Sequence, residues 1–317
     1  MQNIKLKTCI INGQERYALV QVDESGPMAE IPAQMFPEAL LSFAELDMSK
    51  ISALVSAMDD CITSLTGTAD KTYQDELLGI LKTVAQQHIY FELFRLEWGD
   101  RIQQAQSAGV VKEQWRKCKV CNMPETLKEM QRQIRDLFTH VLDYDRGSGT
   151  ILEKAVSYHK KMCGAAFPFR PQLMQFELWD SAVFTEILYP GSIYDLISYH
   201  VQECVKREIR LRVCRNCGRY FYMSGRSTAM YCCRPHGEKG YTCRKNAPIQ
   251  AWAERNQKDE IFCEYRREYK RRFAWINAGK IERDAFYAWS RKAKEKKAAC
   301  TAGIISFEDF TKWLQTS

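Results

Sequence analysis

The sequence predicts a mainly α protein of the α+β class, and three observations support this prediction. Alternating apolar residues flank an Asn-Gly pair near the N-terminus, apolar residues recur at helical spacing through the centre, and five cysteines fall between residues 214 and 243. A chain of 317 residues is long enough for about two domains at roughly 150 residues each. We expect a β-hairpin (residues 1–24), an acidic helical domain (25–205), a small treble-clef-like zinc module (206–247) and a basic helical tail (248–317).

The composition is typical of a globular protein and excludes several other classes. Hydrophobic residues make up 45% of the chain and charged residues 27%, and no apolar run approaches the roughly 18–20 residues that span a bilayer. The first residues are too polar for a signal peptide. The 13 cysteines are an odd number, which argues against a disulfide framework. We therefore expect a cytoplasmic protein.

The N-terminal hairpin is predicted from its turn. Residues 4–11 and 17–22 are strand-like, and Asn12-Gly13 between them is the strongest two-residue hairpin signal, because both positions tolerate a positive φ. Gly26-Pro27 and the prolines that follow predict a loop after the second strand.

The centre of the chain, residues 43–209, shows helical periodicity. Helices are predicted over about residues 73–105 and 125–144, and a third follows Ser192, which with Asp195 resembles a capping pair. Cys118 and Cys121 form a Cys-x-x-Cys pair with no partner pair nearby. We interpret them as incidental thiols at a helix–loop junction; half of a metal site and a redox pair are the alternatives.

The most informative segment contains five cysteines within thirty residues. Cys214 and Cys217 form a Cys-x-x-Cys knuckle, in which Gly218 supplies the turn conformation. The Gly-Arg-Tyr-Phe-Tyr run that follows is strand-like. We expect Ser224-Gly225 to be the tip of a hairpin and residues 229–231 to be its returning strand.

Two further ligands are needed to complete a tetrahedral zinc site. The returning strand would place Cys232 beside the knuckle, and Cys243 opens a predicted helix, as a fourth ligand commonly does in treble-clef-like sites. Strand alternation directs only one of Cys232 and Cys233 inward, and His236 competes with Cys243. The predicted ligands of a structural Zn2+ ion are Cys214, Cys217, Cys232 and Cys243, which leave no open coordination position for water.

The cysteine segment also resembles known families. The Cys-x-x-Cys-Gly-x-x-Phe pattern, Arg226, Tyr231-Cys232 and a last Cys before basic residues are similar to the CGNR-type zinc finger of bacterial regulators, although Cys243 is followed by Arg-Lys-Asn rather than Gly-Asn-Arg. A closer resemblance, over about residues 211–314, is to uncharacterised Firmicutes proteins catalogued only as a domain of unknown function. In those relatives the residue after Tyr-Cys is typically not Cys, which favours Cys232 over its neighbour. The resemblance implies a zinc-binding, DNA-associated bacterial protein.

Charge is divided unevenly along the chain. Residues 205–317 contain 26 Lys and Arg against 12 Asp and Glu, a net charge of +14, whereas residues 1–204 have a net charge of −7. Arginines interleaved with aromatic residues favour nucleic acid as the partner of the basic region; a solubilising tail and an anionic membrane surface are the alternatives. The residues predicted to contact nucleic acid are Arg219, Arg226, Arg234, Arg244, Lys245, Arg266, Lys270 and Arg271.

The basic tail is predicted to be helical after Pro248, because proline suits a first helical turn. A 24-residue repeat places Gly279 and Gly303 at the ends of two helices, each followed by an Ile, Phe and Trp set that would pack the next helix. An apolar stripe at helical spacing, interpreted as packing, consists of Phe262, Tyr265, Tyr269, Phe273 and Ile276.

These features predict a zinc-binding, nucleic-acid-associated protein, either a transcriptional regulator or a mobile-element accessory factor, with DNA as the favoured partner. The alternative is a non-enzymatic interaction scaffold with a purely structural zinc knuckle, whose acidic N-terminal half would contact a protein partner. The sequence contains no HExxH, P-loop, GxGxxG or GxSxG motif, so we do not expect an enzyme. A membrane partner is not expected either.

Overall fold

The computed structural model describes residues 4–21, 27–64, 71–108, 120–180, 182–225, 228–236 and 240–317. The chain forms two compact units. The first comprises Met1–Val213 with Arg219–Ala229, and the second comprises Cys214–Gly218 with Met230–Ser317. The elements confirm the predicted mainly α, α+β class.

The first unit contains a five-stranded antiparallel sheet. Its strands are Ile4–Ile11 (β1), Gln14–Gln21 (β2), Pro27–Met35 (β3), Met174–Leu178 (β4) and Phe184–Leu188 (β5), in the order β3-β2-β1-β5-β4. Strands β1 and β2 form the predicted N-terminal hairpin, with Ile11 opposite Gln14. Asn12 and Gly13 have φ values of 51° and 74°, which is the conformation that selects this residue pair for the turn.

Three strands lie where the sequence predicted other structure. The loop expected after Gly26-Pro27 is the edge strand β3, because an edge strand tolerates proline at its first residue. Its pairing with β2 shifts register between Glu15 and Tyr17, a bulge that accommodates Pro32. Strands β4 and β5 interrupt the segment predicted to be helical. They join the sheet through the pairing of Leu188 with Thr8, a contact between distant parts of the chain that local periodicity does not reveal.

The helices described in the first unit are Glu38–Glu45 (α1), Met48–Ser64 (α2), Lys71–Gln87 (α3), Phe91–Ala108 (α4), Met123–Leu137 (α5), Ile151–Met162 (α6) and Ile193–Lys206 (α7). The single helix predicted over residues 73–105 is two helices, α3 and α4. The chain turns between them at His88, whose Nδ1 accepts a hydrogen bond from the backbone N–H of Tyr90 at 3.2 Å. At the start of α7, the Ser192 hydroxyl accepts the backbone N–H of Asp195, as predicted.

The larger of two hydrophobic clusters described in the first unit combines the inner faces of the helices with residues of β1 and β2. Most of the apolar positions that predicted α3 and α5 are buried in it, including Leu77, Leu81, Ile134 and Leu137, whereas Leu78 is exposed. The amphipathic pattern of these two helices therefore marks the side of each helix that packs in this core.

A polar network lies inside the core. The hydroxyl of Tyr17 donates a hydrogen bond to Glu15 Oε2 at 2.7 Å, and His200 Nε2 lies 3.4 Å from the same hydroxyl. His200 Nδ1 lies 2.6 Å from the hydroxyl of Tyr90. Burial raises the pKa of Glu15 to about 7 and lowers the pKa of His200 to about 3. The imidazole is therefore neutral at physiological pH, and both of its nitrogens face a hydroxyl group.

The second unit is helical beyond its cysteine segment. Its helices are Cys243–Gln257 (α8), Glu260–Asn277 (α9), Arg283–Thr301 (α10) and Phe307–Thr316 (α11). Helix α9 is followed by Gly279 at φ 70° and α10 by Gly303 at φ 73°, so both glycines of the repeat act as the predicted caps. The Phe and Trp residues of the repeat pack around a small core that includes Phe286, Trp289 and Phe310.

Helix α8 begins at Cys243, the position where the sequence predicted a helix to open. Pro248 therefore lies inside α8 and not in its first turn, where the sequence placed it. The contacts that start the helix at Cys243 belong to the cysteine cluster and are described below. Within the described part of the chain, no helix combines the length and the apolar character needed to cross a membrane.

Candidate metal centre

The first two cysteines lie in a tight turn between two short strands. Leu211–Val213 (β6) pairs antiparallel with Tyr220–Tyr222 (β7), and Cys214 and Cys217 lie in the connection. The backbone N–H of Gly218 donates to the carbonyl of Cys214 at 2.9 Å, and Gly218 has a φ of 72°. The knuckle therefore needs glycine at this position, as the sequence predicted.

The third cysteine reaches the knuckle by a different route from the one predicted. Strand β7 pairs with β6, and residues 229–231 form no strand, so the expected return hairpin was wrong. A single backbone hydrogen bond, from the N–H of Arg215 to the carbonyl of Met230 at 3.1 Å, holds the returning chain beside the knuckle. The next residues place the N–H of Cys232 at 3.4 Å from Cys214 Sγ.

The fourth cysteine is the first residue of α8. The N–H of Cys243 donates to the carbonyl of Arg234 at 3.1 Å, and the N–H of Arg244 donates to the carbonyl of Cys232 at 2.9 Å. These bonds satisfy two of the N–H groups that a helix leaves unpaired at its N-terminus. The chain around Cys232 thus caps α8, which explains why the helix begins five residues before Pro248.

The four predicted ligands lie together. The sulfur atoms of Cys214, Cys217, Cys232 and Cys243 all lie within 4.8 Å of one another. The Sγ atoms of Cys217 and Cys232 are 3.7 Å apart. Four sulfurs bound tetrahedrally at about 2.3 Å from one zinc ion are about 3.8 Å apart, so this spacing fits such an ion. The cluster could hold a metal ion.

The two alternative ligands lie outside the cluster. Cys233 and His236 are both exposed, and neither belongs to the group of four. The backbone N–H of His236 donates to the carbonyl of Tyr241 at 2.9 Å, which ties His236 to the chain just before α8. The structure therefore distinguishes Cys232 from its neighbour and agrees with the choice that the family resemblance favoured.

The environment of the thiols suits a bound cation. Burial raises the pKa of the Cys214 thiol, but the backbone N–H groups of Cys232, Cys217 and Asn216 outweigh burial and lower the pKa to about 7. At Cys232, burial and then the neighbouring thiols raise the pKa well above its usual value. Four thiolates so close together repel one another, and a divalent cation would remove that repulsion.

One side chain that contacts the cluster was not among the residues predicted from the sequence. Asn216, inside the Cys-x-x-Cys spacer, directs its Nδ2 group to Cys243 Sγ at 3.2 Å. An amide donor to a sulfur stabilises the thiolate form and orients it towards a metal. The position of Asn216 between the two knuckle cysteines is the sequence feature that could have indicated this hydrogen bond.

We expect Asn216→Ala to weaken zinc binding by about 10–100-fold, the range typical of losing a partner that orients a metal ligand. The expected reason is the loss of the hydrogen bond to Cys243 Sγ. Competition with a chromophoric chelator measures the change, and Asn246→Ala on α8 serves as the control. Equal affinities for Asn216→Ala and the wild type would exclude a role for this amide in metal binding.

The residues predicted to contact nucleic acid are distributed over both units. Arg219 belongs to the first unit and forms an ion pair with Glu45 at 3.5 Å, and Arg226 lies outside the described residues. In the second unit, Arg234 is half-buried, and Arg271 donates to Glu268 at 2.7 Å. The exposed members of the second unit are Arg244, Lys245, Arg266, Lys270 and Arg271.

The described residues do not test whether Cys118 and Cys121 form a second metal or redox site. Cys118 lies outside the described residues, as does the side chain of Cys121. The interpretation of these two thiols as incidental therefore stays a prediction.

Comparison with known protein families gives a match in the second half of the chain. Residues 172–312 match a family of unknown function (DUF6076). The matched segment covers less than half of the chain and contains all four clustered cysteines, and it begins before β4, within the first unit. This match agrees with the resemblance to a domain of unknown function, whereas the resemblance to the CGNR-type zinc finger stays a prediction. No curated protein and no solved structure matches the chain significantly.

Proposed function

We propose that the four-cysteine cluster binds one structural Zn2+ ion and that the second unit binds the phosphate backbone of nucleic acid. The observation on which this proposal rests is a basic helical unit built directly onto a four-thiol cluster. The role proposed for the protein is binding rather than catalysis.

The metal half of the proposal follows from the donor set. Four cysteine sulfurs at these separations favour Zn2+, which prefers tetrahedral thiolate sites in reducing compartments. With four protein ligands, the ion keeps no position for water or substrate, so its role is to connect the knuckle to the start of α8. None of the described residues from Cys214 to Cys243 contributes to the small core of the second unit, and zinc would supply the folding energy of this segment.

The nucleic-acid half of the proposal follows from charge. The second unit contains 20 Lys and Arg against 11 Asp and Glu, a net charge of +9. Four cations on α10 are exposed: Arg291, Lys292, Lys294 and Lys296. Exposed cations at this density attract a polyanion, and neutralising phosphates releases the counterions that surround nucleic acid.

We expect the zinc-loaded full chain to bind labelled duplex DNA with an affinity that falls steeply with salt. The logarithm of the binding constant should decrease linearly with the logarithm of salt concentration, with a slope of about 0.9 per phosphate contact. Fluorescence anisotropy at a series of KCl concentrations measures this slope.

A charge-reversal pair provides the control for that titration. The variant K294E/K296E should weaken binding and reduce the slope, whereas K160E/K161E, which reverses two exposed lysines on α6, should have a much smaller effect. Absence of binding to duplex and single-stranded nucleic acid at low salt would contradict the proposed function.

One observation favours the scaffold alternative. The hairpin of β4 and β5 exposes Phe176, Leu178 and Phe184, and the rings of the two phenylalanines lie 5.0 Å apart. Exposed apolar clusters of this kind mark protein-binding surfaces. If the protein bound no nucleic acid, this hairpin would be the candidate binding surface for a protein partner.

A further inference from the structure

The second unit exposes aromatic and cationic side chains together on one surface, which we call the aromatic patch. Its apolar members on and before α8 are unusually open to solvent: Trp252 is 43% exposed, Tyr241 44% and Ile249 57%. Lys245, Ile249 and Trp252 are spaced four and three residues apart, so they share one face of α8. The complete patch consists of Tyr241, Lys245, Ile249, Trp252, Phe262, Arg266 and Lys297.

Three helices hold the rings and the cations of this patch in contact. The rings of Trp252 and Phe262 meet edge to face, with centroids 5.4 Å apart and planes at 87°. Arg266 Cζ lies 5.2 Å from the centre of the Trp252 ring, and Lys297 Nζ lies 4.5 Å from the centre of the Phe262 ring. Helices α8, α9 and α10 each contribute to the arrangement, so its side chains form one surface through mutual contacts.

The chemistry of the patch fits a ligand that combines negative charge with flat aromatic surfaces. A large indole left partly in water gains free energy when a planar group covers it. A cation beside the ring can bind a phosphate at the same time. Unpaired nucleotides present both groups, whereas the bases of a duplex are stacked inside the helix and are not free to stack on an indole.

A lipid surface fits less well. Inserting Trp252 into the apolar part of a bilayer would carry the guanidinium of Arg266 with it, because the two groups are in contact. Burial of a guanidinium in hydrocarbon is costly.

We propose that the aromatic patch binds single-stranded nucleic acid, with Trp252 as the surface on which an unpaired base stacks. This inference rests on the proposed function, since it specifies which form of nucleic acid the second unit binds. Lys245, Arg266 and Lys297 then contact the phosphates on either side of the stacked base.

The test compares an oligothymidylate with a duplex of equal length, using the zinc-loaded full chain and fluorescence anisotropy. Trp252→Leu, which keeps apolar volume but removes the ring, should weaken binding of the single strand by about tenfold, within the range typical of one base–aromatic stack. Trp252→Phe should retain most of the affinity. Tyr287→Ala, which removes an exposed ring from α10, serves as the control and should leave binding unchanged.

The outcomes separate this inference from the proposed function. The inference would be overturned if the duplex bound as tightly as the single strand, in a salt-dependent manner, and Trp252→Leu bound both with unchanged affinity. The proposed function would then stay intact. Absence of binding to either oligonucleotide would overturn both. Binding to phosphatidylserine vesicles that depends on Trp252, without binding to the oligothymidylate, would assign the patch to a membrane instead. Arg266→Gln, which retains the indole, should also weaken single-strand binding, so the test does not depend on one variant.

Discussion

Cys232→Ser is expected to abolish zinc binding, whereas Cys233→Ser, one residue further along the chain, is expected to leave it intact. The sulfur of Cys232 belongs to the four-thiol cluster, and the sulfur of its neighbour is exposed outside it. Zinc contributes on the order of 10–16 kcal/mol to the folding of small structural sites. Loss of one of four ligands should therefore lower the affinity for zinc by far more than the roughly 10–100-fold caused by loss of an outer-sphere partner. Metal content after dialysis against a weak chelator gives the first measurement.

The same pair of variants reports on folding. The carbonyl of Cys232 accepts the N–H of Arg244 at the start of α8, so loss of the metal should also loosen the beginning of that helix. We expect proteolysis between residues 230 and 243 to accelerate in Cys232→Ser and in chelator-treated wild type, but not in Cys233→Ser. Retention of stoichiometric zinc by Cys232→Ser, or equal loss from both variants, would contradict the assignment of the site.

Much of the candidate metal centre was predictable because its determinants are local. The Cys-x-x-Cys-Gly pattern specifies a knuckle within five residues, and Gly218 has the positive φ that the pattern requires. The N-terminal hairpin was predictable for the same reason, since Asn12-Gly13 determines its turn. The glycines that end α9 and α10 complete this group of short-range features.

What could not be predicted depends on contacts between distant segments. Residues 229–231 were expected to form a strand, yet separate hydrogen bonds position Cys232, among them the bond from Arg215 to Met230 and the one from Arg244 to the carbonyl of Cys232. Strand β5 joins the sheet by pairing with β1, which lies at the other end of the first unit's sequence. The contact between Trp252 and Phe262 requires the packing of two helices, so the sequence showed a basic aromatic tail but not its aromatic patch.

The buried carboxyl group of Glu15 is the clearest of these tertiary features. It lies in the core of the first unit and accepts hydrogen bonds from Tyr17 Oη at 2.7 Å, Gln34 Nε2 at 3.0 Å and the N–H of Ala39 at 3.2 Å. Burial raises its pKa from 4.5 to about 7 and outweighs the three donors, which lower it. The sequence placed Glu15 in the predicted hairpin but gave no sign that its side chain faces the core.

Glu15→Gln is expected to gain stability relative to the wild type as the pH rises. Because the folded-state pKa is raised, the folded wild type holds its proton between about pH 4.5 and 7 while the unfolded chain has released it. The free energy of unfolding of the wild type therefore contains a contribution that is fully present below pH 4.5 and is lost as the pH rises to about 7. At about 1.4 kcal/mol per pKa unit, this contribution is about 3 kcal/mol.

The buried histidines change the free energy of unfolding with pH in the opposite direction, so their contribution must be subtracted. Burial lowers the pKa of His88 to about 4 and of His200 to about 3, so their protonation on acidification favours the unfolded state in the wild type and in the variant alike. The informative quantity is thus the difference in unfolding free energy between Glu15→Gln and the wild type, measured by urea titration in reductant at a series of pH values. Glu30→Gln, at an exposed carboxylate of β3, is the matched control for the change of side chain. If the Glu15→Gln difference did not vary with pH, the pKa of the carboxyl group in the folded protein would lie near 4.5, and its three hydrogen-bond donors would then balance the effect of burial.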